Sequence, residues 1–484
     1  FFPILFGNRS FGFLGDRQNA IRVLGSIGRF DGGLGVESGK GITLVGAGIE
    51  ITDALLSAPG GDIGLASVGG AGEVRFGGIL LGSGFGLGAL SISNDAEINT
   101  TGDDFGDQGG TVQINAGSLS MEHSRILSQA FGANGGFVFI ETKGALDLND
   151  VEITANAGFG TATPSDPQSQ SPGSIILRGS EVAIRGDSTI STFQTGNRLF
   201  LVPFKFGGDI TIQATSEGVI IDDSTISAAA TAGTDDDVGD VTISAPKRID
   251  ITNSTLDANI FPVSGTRAVS AGNFVLTALE ISLRNSTIAA NGTQLRPGDS
   301  AGGIEINADT FELLAGSALR VQADGGVGGD IVINGAGVDE QDGILTAQVR
   351  ADQSPGKLVH LVDSEISATV SKDGDGGNVL INSEFLVIDN SPITARAESG
   401  DGGNILLASD SIFVSGGDLK RFARADSQTG VSGTVQVNTL TNDITSSITP
   451  LDPSFQDASN LIRPSCAARA SAGREGSFYV ARAA

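Results

Sequence analysis

The chain has no tryptophan, and only one tyrosine, one methionine, one cysteine and two histidines among 484 residues. The lone Cys466 excludes an internal disulfide framework. Two histidines and one cysteine leave no ligand set at zinc spacing. Bases are scarce too: 29 Lys and Arg stand against 56 Asp and Glu, a formal net charge of −27. Such a chain repels phosphates, so nucleic-acid binding through a basic face is excluded and anionic membrane surfaces are disfavoured. No apolar run approaches the roughly 18 residues of a membrane helix, so the chain is expected not to span a membrane. The opening Phe1-Phe2-Pro3-Ile4-Leu5-Phe6 lacks a charged n-region and is broken by Pro3, so it does not read as a signal peptide. On that reading the chain is expected to be a fragment, or to have lost its true start.

What is abundant is glycine, 71 residues and roughly twice the usual share. Hydrophobic residues make up 39%, too many for a disordered acidic tail, and they come as short Ile, Val and Leu runs cut by Gly. A unit repeats. Gly207-Gly208-Asp209-Ile210-Thr211-Ile212 leads to Val219-Ile220-Ile221-Asp222-Asp223-Ser224-Thr225-Ile226-Ser227. Gly239-Asp240-Val241-Thr242-Ile243 leads to Ile249-Asp250-Ile251-Thr252-Asn253-Ser254-Thr255-Leu256. Eleven such starts lie between Gly110 and Gly433, at intervals from 26 to 48 residues, and the length variation falls after the last strand of the unit.

Alternation at Ile210/Ile212, Ile249/Ile251 and Ile281/Leu283 has period two, and β-branched residues crowd these runs, so each unit reads as three short strands. Asn-Ser-Thr or Asp-Ser-Thr stands where the second strand must bend into the third, a place for Asx-type turns. The Gly pairs open each unit, where a corner needs positive φ or close backbone approach. Short strands stacked on copies of themselves predict an all-β fold, a right-handed single-stranded parallel β-helix of about fourteen coils, with inward Ile, Val, Leu and Phe in columns. A propeller would need four strands per blade and aromatic signatures that are missing.

The first ninety residues carry a more specific pattern. Gly12-Phe13-Leu14, Ala20-Ile21-Arg22-Val23, Leu44-Val45-Gly46, Ala58-Pro59-Gly60-Gly61, Leu65-Ala66-Ser67-Val68 and Gly72-Glu73-Val74 follow in one order. This succession resembles the end of the N-terminal secretion domain of the filamentous haemagglutinin family, the exoproteins of two-partner (type Vb) secretion. The resemblance is strong over 11–76 and looser over 90–445, where the Asn-Ser-Thr-Ile corners are similar to that family's repeats. Pro464-Ser465-Cys466-Ala467-Ala468-Arg469 with Gly476-Ser477-Phe478-Tyr479-Val480 resembles a closing segment of such proteins, without the Gly-Arg-Gly-Gly-Leu-Pro stretch that usually follows. The Asn-Pro-Asn-Gly-type motif of the early secretion domain is absent.

The residues offer little converging chemistry. His123 and His360 have no second ligand at metal spacing and read as surface or satisfied side chains; Cys466 lacks a base. Asp235-Asp236-Asp237, with Asp240 nearby, reads as a solvated acidic turn, and Ca²⁺ is conceivable there without a fixed ligand order. Asp373, Asp375 and Asp401 read as turn residues before glycines, and Asp53, Asp222 and Asp223 as residues preceding strands. Gly82-Ser83-Gly84-Phe85-Gly86-Leu87-Gly88 lacks the strand–turn–helix context of a nucleotide loop. Asn253-Ser254-Thr255, Asn285-Ser286-Thr287 and Asn291-Gly292-Thr293 match the glycosylation pattern but read first as corners. Polar excursions are expected at 161–172, 197–206, 261–270 and 340–356; Phe200, Val202, Phe204 and Phe206 in the second are the best contact candidates, though packing over a coil also accounts for them.

These readings predict 1–95 as the C-terminal part of a secretion domain, 96–450 as β-helix and 451–484 as a less regular tail. No catalytic, cofactor-binding or metal residue is expected. The resemblance implies a secreted or surface-exposed adhesin of a Gram-negative bacterium. It further implies an outer-membrane transporter partner and an unknown host, cell-surface or carbohydrate receptor. A β-helical polysaccharide lyase or hydrolase and a structural surface-layer component are the alternatives.

Overall fold

The computed structural model describes residues 10–13, 20–25, 33–69, 72–75, 80–81, 86–104, 107–131, 133–158, 173–192, 208–230, 238–260, 270–293, 295, 299–335, 337–341, 344–348, 355–416 and 418–439. The chain divides into two compact units, Phe1–Leu440 and Thr441–Ala484, and the described residues belong to the first. The Cys466 segment, the Asp235–Asp237 run, Phe200 to Phe206 and most of the expected excursions lie outside the described residues.

The first unit is a parallel β-helix in which one sheet assignment spans 35 strands. Three ladders of parallel strands run through it. The first passes from Ile42–Gly46 through Ile210–Ala214 and Val241–Ser244 to Val435–Asn438. The second runs from Ile21–Leu24 through Arg248–Thr252 to Ile405–Ser415, and the third from Gly33–Gly35 through Thr255–Asp257 to Ala423–Arg424. Each ladder has thirteen rungs among the described residues, and all three pass residue 95 without a break. The unit expected from period-two alternation is the one observed: Ile210, Val241, Phe274 and Ile304 stack in one buried column, Ile212, Ile243, Leu276 and Ile306 in the next.

The glycines at the unit starts act by close approach. Gly61, Gly110, Gly136, Gly173, Gly208, Gly239, Gly272, Gly302, Gly329, Gly377, Gly403 and Gly433 form a column in which a Cβ on each glycine from Gly110 onward would collide with the backbone carbonyl of the glycine one coil before. None of these glycines has a positive φ. Their N–H groups reach across the coil: Gly136 donates to the Ser128 carbonyl (3.1 Å), Gly272 to Ala258 (3.1 Å) and Gly403 to Ala395 (2.8 Å). The accepting column is therefore small and buried, and includes Thr100, Ser128, Ala155, Ala258, Ala290, Ala368, Ala395 and Ala425. The Asp or Asn beside the glycines has its own task. Asp209 accepts from the Asp240 N–H (3.0 Å), Asp240 from Asn273 (2.8 Å) and Asn273 from Gly303 (2.9 Å), so each side chain pairs a corner donor of the next coil.

Two additions depart from the repeat. Ser10–Phe13, Gly72–Arg75 and Leu80–Leu81 form a separate antiparallel sheet. Gly337–Gln341 and Ile344–Gln348 form an antiparallel hairpin that packs against Val379–Asp389 and Ile405–Ser415. The excursion expected over 340–356 is thus in part regular structure, and it lies between the first and second strands of its coil, not after the last strand where the length variation is expected. Leu380 and Leu406, at outward positions of the first ladder, are fully buried and pack with Val332 beneath this region.

Gly239→Ala is expected to cost about 3 kcal/mol, because neither backbone can retreat without breaking a rung. Gly316→Ala is the control: its φ is +80° but nothing lies within 4 Å, so the cost should stay near the ~1–2 kcal/mol of a left-handed alanine. Chemical denaturation of both variants checks this, and equal losses would contradict the stacked column.

Candidate functional site

The bend from the second to the third strand is a second column with its own chemistry. Asp53, Asp95, His123, Asp150, Asp187, Asp223, Asn253, Asn285, Asp363 and Asn390 occupy it with φ between 46° and 61°. Short polar side chains tolerate this left-handed conformation best, which explains the Asx residues. The following residue points inward and is often a buried serine. Ser254 accepts from the Ser224 N–H, Ser286 from Ser254, and Ser317 from Ser286, each at 3.1 Å, while the Ser254 hydroxyl donates back to the Thr252 carbonyl (2.6 Å). The glycosylation-like triplets at Asn253 and Asn285 are accounted for by this bend, and the one at Asn291 follows the third strand. Asn285 donates from Nδ2 to Asn253 Oδ1 (2.9 Å), and Asn291 accepts from the Gln322 N–H (2.8 Å).

His123 is the one member of this column that is neither Asx nor small. It sits in an open cleft of about 710 Å³ lined by Asp95, Arg125, Asp150, Glu152 and Asp187 among others. Its Nδ1 lies 2.5 Å from Asp150 Oδ2, one coil on, and Nε2 lies 3.7 Å from Glu122. The hydrogen bond that the ring donates to Asp150 raises the imidazole pKa above the ordinary 6.5, against desolvation and with the charges of Asp150, Glu122 and Asp95 adding to it. The surrounding carboxylates thus favour the protonated ring. Arg125 lies 3.6 Å from Glu97 on the neighbouring coil. Ser124 donates its hydroxyl proton to the Glu122 carbonyl (2.7 Å), so it is not aligned with the imidazole.

His360 faces outward on the second ladder, with Nδ1 3.5 Å from Glu312. The two histidines therefore stand on different coils and are not brought together. Asp375 accepts from the Asp401 N–H and Asp401 from the Val431 N–H, both at 2.8 Å; Asp401 is outside any strand, whereas Asp375 ends the short strand Gly374–Asp375 instead of standing in a turn. Asp53 and Asp223 are bend residues, whereas Asp222 closes the strand Gly218–Asp222 instead of preceding one. In the glycine-rich segment, Gly86 accepts from the Gly69 N–H and Leu87 bridges Val68, with no helix following. The His123–Asp150 pair was not read from the sequence. The signal was available, because Asn149-Asp150-Val151 aligns with Glu122-His123-Ser124 once the coils are superposed in register.

Compared with known proteins, the chain matches no family model, no curated protein and no solved structure.

Because the folded-state pKa of His123 is raised, the stabilisation from its pair with Asp150 is fully present below the unfolded value of 6.5 and is lost as pH rises through the folded value. Asp150→Asn is expected to return the His123 midpoint, followed by NMR of the ring protons, toward 6.5. A midpoint unmoved by the substitution would sink the pairing.

Proposed function

We propose that the chain is a filamentous haemagglutinin-like exoprotein, secreted or surface-exposed, whose β-helix serves as a scaffold for binding loops: an adhesin in function. What supports the reading is where the chain varies. Between the small residue closing one coil and the stacked glycine opening the next, Ser128 to Gly136 is short, whereas Ala155 to Gly173 and Thr192 to Gly208 are long. Most length changes fall at this one place and leave the ladders intact, which is how a solenoid carries recognition on a constant frame; the additions at 72–81 and 337–348 lie instead between first and second strands. The ordered motifs over 11–76 supply the family, and with it export through an outer-membrane two-partner transporter and a cell-surface or carbohydrate receptor. The charge of −27 disfavours acidic receptors.

The direct test uses erythrocytes and an array of immobilised glycans as probes of the purified full chain. Replacing 159–172, 193–207, 231–237 and 261–269 by short Gly-Ser turns should keep the melting temperature within a few degrees and abolish binding. Undiminished binding by the shortened variant, or no binding by the parent chain, would refute the display reading.

A polysaccharide-active enzyme is the second reading, and the His123 cleft is the observation that favours it. Against it, Asp95, Asp150 and Asp187 stand at bend positions that other coils fill with Asn, so the corner already explains them. Release of reducing ends or unsaturated sugars from acidic and neutral polysaccharides, lost in His123→Ala, would favour the enzyme over the adhesin.

A further inference from the structure

The outer face of the second ladder is largely polar, with ion pairs on several of its coils. Arg22 pairs with Glu50 (2.9 Å), Arg185 with Asp147 (2.8 Å) and Arg248 with Asp250 (3.3 Å). Over the last rungs it changes character. Leu358 stands beside Phe385, and Val387 beside Phe413, all at outward register. Phe385 and Phe413 are 46% and 38% exposed. Two residues along the strand and one coil apart, their Cα atoms are about 8 Å from each other on the sheet. Acids flank the strip on both sides: Glu384 and Asp410, both exposed, where the strands enter, and Asp389 where they leave. Of the nearby basic side chains, Lys357 is held by Asp309 at 2.6 Å, and His360, beside Val387, lies 3.5 Å from Glu312.

We propose that this strip is a docking surface for an extended polypeptide segment in which apolar side chains alternate with Lys or Arg. Apolar residues two apart on an extended segment are about 6.8 Å from each other, comparable with the roughly 8 Å between the two Cα atoms. Basic side chains are long enough to bend around such a segment to the acids on either side. Exposed aromatics inside an otherwise charged surface mark interaction sites, and the rim charge selects a partner of opposite sign. A second copy of the chain is disfavoured as the occupant, since it would bring the same acids face to face. The inference stands on the strip itself and does not depend on export or on the loops.

The test is fluorescence anisotropy with the full chain and three short labelled peptides: alternating Leu/Lys, alternating Ser/Lys of the same charge, and alternating Leu/Glu. The Leu/Lys peptide should bind most tightly, and a Phe385→Ser/Phe413→Ser double variant should weaken it by about tenfold or more while leaving the Ser/Lys peptide unchanged. Both rings face outward, so the fold should tolerate the change. If circular dichroism shows that it does not, Glu384→Lys/Asp389→Lys replaces it and should shift preference toward Leu/Glu. Equal Leu/Lys binding by parent and Phe variant would overturn the proposal, showing only general attraction to an acidic chain. So would light scattering that finds a dimer dissolved by the Phe substitutions, which would make a second copy the occupant.

Discussion

The structure depends on how closely one coil can lie on the next at its tightest corner. Strands in register require a fixed spacing of about 4.8 Å, and at the corner where each unit begins the backbone itself fills that spacing. Twelve stacked glycines, from Gly61 to Gly433, leave each carbonyl where a methyl group of the next residue would be. The small residues opposite follow from the same constraint, because the glycine N–H must cross the narrow interior to reach a carbonyl there. Apolar columns drive the collapse, yet they would accept several registers. The glycine column accepts one. It also separates the two jobs of each coil, since chain inserted just before the glycine does not disturb what the glycine stacks upon.

The polar residues of the repeat answer the question that burial raises, namely where the corner donors go. Asp209, Asp240 and Asn273 pair donors at the first corner, and Ser254, Ser286 and Ser317 do so at the bend between second and third strands. Losing one of the buried serines would leave an N–H unpaired, worth about 1–3 kcal/mol. The interior is therefore not apolar alone. Many coils carry such small polar relays to the next, and these are why Asx and Ser recur at fixed places among hydrophobic runs.

Local features were legible from the sequence because they rest on spacing within one unit. The period-two runs, the Asx bend at Asn253 and Asn285 and the glycine start at Gly208 or Gly239 all belong to that class. Contacts along the axis were harder to foresee. His123 meets Asp150 and Glu312 meets His360 across 27 and 48 residues, and which residues face each other depends on how many are inserted between coils. The acidic bend column hides its departure at His123 for the same reason, as does the outward pairing of Phe385 and Phe413. The hairpin over 337–348 was missed because its polar, glycine-flanked sequence resembles the other insertions.

The claim beneath all of this is that distance along the unit is counted in coils and not in residues. Gln113, Thr242, Glu305 and Gln436 stand in one outward column, with Thr242, Glu305 and Gln436 four, six and ten rungs from Gln113. Spin labels on cysteines at Gln113 and each of the others in turn, in a Cys466→Ser background, would report the separations by pulsed electron resonance. The β-helix predicts about 19, 29 and 48 Å between the labelled backbones, rising evenly with rung number despite the uneven insertions. Separations that scale with residue number, or that collapse to one short distance for all three pairs, would contradict it.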